Sequence, residues 1–462
     1  MSPARDNHVP RQRGRRTSKG RDARYKDRLK AGVEEPDSVV RKSRYFTLTN
    51  MAISAVVLSI LVPVGLGLLR DVDAKLSTSA VRPLPDKAQI IQQKSFNVLE
   101  TVPPPSEANA TTEFLWPGVT HKSLTDRPFH VYDPEFYDVI GSDPSLTLIA
   151  TSDTDPIFHE AVVWYPPTEE VFFVQNAGAL AAGTGLKKSS IIQKISLAEA
   201  DALRSGSHAN SEVKVTVVPS SPQVINPNGG TNYKGQIILA GEGQGDNIPS
   251  TLYLMNPEEP YNTTALVNNY FGRQFNSLND VAVNPRNGDI YFTDTMYGYW
   301  QNFRPEPGLP NQVYRLNEES GALTVAADGF VSPNGLTFSP DGSYAYVTDT
   351  GLSNGLFGSN FTRPSTVYRF KVQGDGTWEN RKTFAHVAAR LPDGVHCDSK
   401  GNVYAGCADG VHVWNPSGKL IGKIYTGTTA ANFQFAGDGR MVITGQTKLF
   451  YATLAASGVA LS

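Results

Sequence analysis

After residue 112 apolar and polar positions alternate with a period of two, and helical periodicity is almost absent. The alternating stretches are short and are separated by clusters of Gly, Asp, Asn and Pro, the residues that build tight turns. The exception is 196–205, where Ser196 stands at the N-cap position of a short helix. One unit recurs: a polar residue, a strand, a Pro/Asp/Gly turn, and a β-branched or aromatic return strand. Clear copies are Asn279–Val283 returning at 289–294, Asn334–Phe338 at 344–349, Asp393–Cys397 at 402–406 and Glu160–Trp164 at 170–175. Looser copies start at Asn228, returning at 236–241, and at Asn432, returning at 440–444.

Six such units predict an all-β, six-bladed β-propeller, each blade a four-stranded antiparallel sheet. The innermost strand of every blade lines the central channel. A residue at the same end of each such strand therefore points to one mouth. On this reading Glu160, Asn228, Asn279, Asn334, Asp393 and Asn432 converge there, although they are scattered along the chain. Carboxylate and amide oxygens without a thiolate suit Ca²⁺ or a similar hard divalent ion. Two carboxylates buried together are costly unless a cation balances them. Such an ion polarises a carbonyl oxygen, and Asp393 beside it is the candidate to take a proton from water. Strand alternation turns His159 and His396 away from this mouth, towards blade packing.

The N-terminal part has a different pattern. From Phe46 to Leu69 there is no charged residue, a run of 24 that as a helix would measure roughly 36 Å, enough for a hydrocarbon core of about 30 Å. Arg41, Lys42 and Arg44 stand before it, so the positive-inside rule keeps the N-terminus in the cytoplasm and translocates the rest. The expectation is a single-pass type II membrane protein with its catalytic part luminal or extracellular, or a secreted protein if the segment is cleaved as a signal peptide. The domain plan is then a disordered basic tail (1–44), a signal anchor (45–69), a Pro-rich stem and N-terminal arm lying on the domain (70–125) and the propeller (126–462). Sequons at Asn109, Asn262 and Asn360 are consistent with glycosylation in that compartment.

Charge sharpens this division. Residues 1–44 carry 14 Lys/Arg against 6 Asp/Glu, leaving 28 against 38 in the remainder. The tail has little aromatic interleaving, so it reads as a segment near anionic lipid, and no nucleic-acid partner is expected. Two Cys in 462 residues exclude a disulfide framework and a Cys-based metal site. Cys397 and Cys407 fall on adjacent strands, offset along the hairpin, and are expected as two buried thiols. The G-x-S-x-G pattern at 351–355 lacks the helix that a nucleophile elbow needs.

Four of the recurring segments resemble signatures of the senescence-marker/gluconolactonase/regucalcin family of six-bladed propellers: His159–Trp164, Leu278-Asn279-Asp280, Ser332–Leu336 and Leu391–Val395. Over about 86–455, including Asp409–Lys419, the chain is similar to the fungal lactonohydrolases. The resemblance implies a divalent ion, usually Ca²⁺ with Zn²⁺ or Mn²⁺ as alternatives, held by Glu160, Asn334 and Asp393, with Asn279 a further ligand or a substrate contact. It implies Asp393 as general base. Asn279 and Asn228 would orient oxygens of a small-molecule lactone of aldonate or pantoyl type. Where animal members often carry an Arg for sugar hydroxyls, this chain has Ser277. Two other functions share the same mouth: a metal-dependent arylesterase or phosphotriesterase, and a ligand-binding propeller whose metal is structural. The long loops 298–311 and 351–364 would set substrate choice.

Overall fold

Tyr344–Asp349 shows how the strands are made: alternate side chains of this β-branched and aromatic run pack on opposite faces, and all but Tyr344 are buried. Strands with two buried faces must stack against other sheets, and the computed structural model shows six of them. It describes residues 82–461 apart from His208. The basic tail and the apolar segment 46–69 lie outside the described residues. Among the described residues no helix is long and apolar enough to cross a membrane.

Blade 1 is built from Glu160–Tyr165, Glu170–Val174, Ile192–Ser196 and Thr216–Val218. Blade 2 comprises Pro227–Tyr233, Gln236–Gly241, Thr251–Met255 and Thr263–Val267. Blade 3 runs through Leu278–Val283, Ile290–Asp294, Gln312–Asn317 and Ala322–Ala327. Blade 4 follows with Pro333–Phe338, Tyr344–Asp349, Thr366–Val372 and Trp378–His386. Blade 5 contains Val395–Cys397, Val403–Cys407, Gly410–Trp414 and Leu420–Tyr425. Blade 6 takes Asn432–Phe435, Asp438–Thr444 and Lys448–Ser457 from the C-terminal end, and Ser145–Thr151 from far upstream pairs antiparallel with the last of these. That pairing closes the ring and leaves no open edge between first and last blades. Six buried apolar clusters fill the gaps between adjacent blades.

The segment expected as an arm is partly woven into the fold. Phe129–Val131 pairs antiparallel with Leu420–Tyr425, and Ala88–Ile90 adds a parallel sixth strand to blade 5. Ala88 and Phe129 are fully buried there. The helix expected at 196–205 is present as Leu197–Arg204, but the Ser196 side chain makes no capping bond. Cys397 and Cys407 are buried free thiols, as their offset on the hairpin suggested.

The inner strands share a device that local pattern does not reveal. In blades 1 to 4 the first strand bulges near its start, two residues opposing one: Ala161 and Val162, Asn228 and Gly229, Asn279 and Asp280, Asn334 and Gly335. In blade 5 Asp393 and Gly394 both bond across to Gly406. Threonines tie these bulges around the ring. The Thr293 hydroxyl donates to the Asn334 carbonyl at 2.8 Å and accepts from the Asp280 amide at 3.0 Å. Thr348 donates to the Asp393 carbonyl at 2.9 Å, and the Thr444 hydroxyl is 2.8 Å from the carbonyls of both His159 and Asn432. The following Asp294 and Asp349 each accept two backbone amides of the loop that leads into their own blade's inner strand. The strands crowd so closely that a Cβ on Gly335 would lie 2.4 Å from the Asp393 carbonyl oxygen. Gly335→Ala should therefore cost about 2 kcal/mol or more of unfolding free energy in a denaturant titration; wild-type stability would show that the channel can relax.

Candidate active site

The bulges aim their leading side chains into one cavity of about 280 Å³ at the channel mouth. Glu160, Asn228, Asn279, Asn334 and Asp393 all line it. Glu160, Asn228, Asn279 and Asn334 are buried, while Asp393 is half-buried. Asn432 is displaced from the lining. It stands behind Glu160, donating from Nδ2 to the carboxylate at 2.5 Å, with its Oδ1 3.3 Å from His396 Nε2. Its blade starts without a bulge, so the side chain turns to its neighbour instead of into the cavity.

Glu160 reaches the same place by a different register. It pairs with Val174 just before the bulge, whereas Asn228, Asn279 and Asn334 lie inside theirs. Ala161, at φ 47°, makes the left-handed turn after it. The expected orientation of His159 is overturned as well. It precedes the regular strand, lines the cavity, and places Nε2 3.2 Å from the Asn176 amide. His396 behaves as blade packing, its ring edge-on to Phe433 at 5.1 Å.

Electrostatics single out the carboxyls. Burial, then the charges of Asp393 and Asp280, push Glu160 well above the usual carboxylate range, partly offset by Asn432. Burial pushes Asp393 up to about 7 against the opposing pull of Asn334, Arg390 and a hydrogen bond to Glu160. Asp280, pushed up to about 7 by burial, is already committed: its two oxygens accept the amides of Val281 at 2.9 Å and Leu336 at 2.8 Å.

The mouth contains residues that the repeat could not disclose. Glu242, raised to about 8 by burial, accepts from the Ser277 hydroxyl at 2.7 Å. Tyr297, raised to about 12 by burial and by Asp393, bonds to Thr350. Gln301, Ser353, Leu356, Arg390 and Gln446 complete the rim and walls. Tyr297 and Gln301 come from a short helix and turn after blade 3's second strand, and Ser353 and Leu356 from the loop after blade 4's. They fall beside or within the two long loops picked out in the sequence, and only Glu242 carried a local signal, as an acid at the end of a return strand.

An oxygen-binding cation suits this donor set. Among the described residues no group of three or more His, Cys, Asp or Glu could hold an ion. The cavity instead presents two uncompensated carboxyls, Glu160 and Asp393, with amide groups of Asn279 and Asn334 beside them. That composition matches a hard divalent ion and excludes a thiolate site.

Residues 231–447 match the family model described as SMP-30/Gluconolactonase/LRE-like region. Over that stretch, just under half of the chain, the propeller is similar to the SMP-30/gluconolactonase family. Its relatives include the lactonohydrolase oryL of Aspergillus oryzae, 26% identical over 325 residues that cover 65% of this chain and 68% of that protein. A gluconolactonase of Zymomonas mobilis is 31% identical over 172 residues, covering 35% of this chain and 45% of that protein. The solved structure of a gluconolactonase from Xanthomonas campestris shares the fold, with a TM-score of 0.55 and 24% identity over 71% of this chain and 94% of that one. The family match spans most of blade 2, blades 3 to 5 and two of the four strands of blade 6. It therefore includes Asn279, Asn334 and Asp393, while Glu160 and Asn228 lie upstream of it.

Proposed function

We propose that this chain is a lactone hydrolase of gluconolactonase type, anchored in a membrane through residues 46–69 with the propeller on the far side. The observation that carries the activity is the Glu160–Asp393 carboxyl pair, which shares one polar cavity with Asn228, Asn279 and Asn334. Relatives named lactonohydrolase and gluconolactonase support the same reading.

A divalent cation, Ca²⁺ first among the candidates, would be held by Glu160, Asn334, Asp393 and Asn279, and when bound supplies polarisation of the lactone carbonyl and charge for the oxyanion. Asp393 then acts as general base, taking the proton of the attacking water. The hydrogen bond from Asn334 favours its ionised form. Asn432 holds the Glu160 carboxylate in place. Asn228 and Asn279 orient the ring oxygens of the substrate. Tyr297, kept protonated by its surroundings, is placed at the cavity wall to donate a hydrogen bond. Arg390 at the rim supplies the positive charge that Ser277 does not.

A panel containing an aldonolactone, an aliphatic lactone, an aryl ester and an organophosphate tests the assignment. Faster turnover of the lactones supports it. An aryl ester or organophosphate turned over in their place would give the site to the arylesterase or phosphotriesterase reading, and no turnover with any of them to a binding propeller. Of the sequons, Asn262 and Asn360 are exposed and Asn109 is half-buried. Glycosylation is part of the proposal, and a mass shift on deglycosylation of the secreted-side domain checks it.

A further inference from the structure

We propose that a second cavity, between the N-terminal arm and blade 5, receives an uncharged alkyl or aryl substituent of the substrate, so that the lactones opened here carry an apolar side group. The inference rests on the lactone reading above and names its substrate class. The cavity measures about 440 Å³, against about 280 Å³ for the polar mouth. It opens to solvent on one side, and a concave, largely apolar, ring-lined cavity is the usual form of a small-molecule site.

Its wall is a run of touching rings. Phe114 meets Phe96 at 5.4 Å between centroids, Phe96 meets Trp116 at 6.0 Å, Trp116 meets His130 at 6.3 Å, and His130 stacks on Tyr425 at 5.2 Å. Burial lowers the His130 pKa to about 4, so the imidazole is a neutral ring at ordinary pH. The charges at the floor satisfy one another. Asp409 takes the Lys423 ammonium at 2.9 Å and His412 Nε2 at 2.6 Å. They leave no unpaired buried charge to recognise an ion, which favours an uncharged occupant.

The ring-walled cavity adjoins the mouth across a thin wall. Ala388 and Ala389 line the ring-walled cavity, while Arg390 and Leu391, next in the chain, line the mouth. Ala408 lines both. The Ala408 amide donates to the Ala389 carbonyl at 3.4 Å, so the partition consists of two backbone segments bearing methyl groups. The arm fixes its outer end, where the Arg390 amide donates to the Ala110 carbonyl at 2.7 Å. A ring opened at Asp393 would thus have an apolar compartment beside it.

The full-length chain is assayed with δ-valerolactone and with δ-decalactone, which adds an unbranched alkyl group to the same ring. The expected ratio of kcat/KM favours δ-decalactone by about tenfold or more. Ala388→Phe, which fills the cavity, and Phe114→Ala, which removes part of its wall, should each pull that ratio towards one, chiefly through KM. Binding is read separately by quenching of tryptophan fluorescence, since Trp116 and Trp414 line the cavity. Saturable δ-decalactone quenching that weakens about tenfold in Ala388→Phe supports the compartment even if nothing is hydrolysed, in which case the lactonase reading fails alone. A ratio near one, or a high ratio that both variants leave intact, overturns the compartment while hydrolysis of δ-valerolactone keeps the enzyme. Absence of both quenching and turnover overturns both.

Discussion

Asp393→Asn is expected to fold, bind substrate and lose turnover by about 10²–10⁴-fold, the range a positioned general base contributes. Asn keeps the size of the side chain and an oxygen for a cation, but it takes no proton from water. The loss should therefore appear in kcat. Glu160→Gln should be damaging in a different way. Glu160 lines the mouth, braced from behind by Asn432, and is the second of the two carboxyls that a cation would neutralise. Its loss should weaken cation binding, and part of the activity should return at high cation concentration. Steady-state kinetics at two cation concentrations separate the two variants. Full turnover in either one sinks the role given to that residue.

Removing divalent cations is expected to abolish turnover and to lower the melting temperature, and the size of the second effect should depend on pH. In the metal-free protein burial raises Asp393 and Asp280 to about 7 and Glu160 well above the usual range. In the unfolded chain these groups titrate near 4. The folded state then binds more protons than the unfolded state between those values. Stability contributed by the protonated forms is present at low pH and lost as pH rises from about 4 to 7, at up to about 1.4 kcal/mol per pH unit per group. A cation replaces the protons and offsets that loss. Added Ca²⁺ should raise the melting temperature more at pH 8 than at pH 5. An equal rise at both, or none, would show that the carboxyl pair does not hold the ion.

Much of this was legible in the linear pattern. The return strands of Tyr344–Asp349 and Gln236–Gly241 lie where the alternation put them, because a strand's period is local and its turns are written in Gly, Asp and Asn. Asn279, Asn334 and Asp393 were identifiable because each opens a copy of one unit. Two features were not. The outer strands of blade 5 come from 88–90 and 129–131, and one strand of blade 6 from 145–151, and pairing across hundreds of residues leaves no local trace. Nor does a bulge, which adds a single residue and changes the face that follows. Strand alternation misplaced His159 because it stands just ahead of the regular strand, and Asn432 was grouped with side chains that enter the cavity although its own strand lacks the bulge.

The sequence alone determined the fold class, the number of blades and the chemistry of the mouth, since these depend on periodicity, repeat count and residue type. It also defined the apolar segment and basic tail, whose charge pattern needs no folded partner to be read. Only the tertiary structure decided which oxygens face one another and which are already spent on backbone amides, as in Asp280. It also decided that an arm and a blade leave a ring-lined space beside the polar one. Those outcomes depend on distances between segments remote in the chain, fixed by packing of whole blades and encoded at no single position.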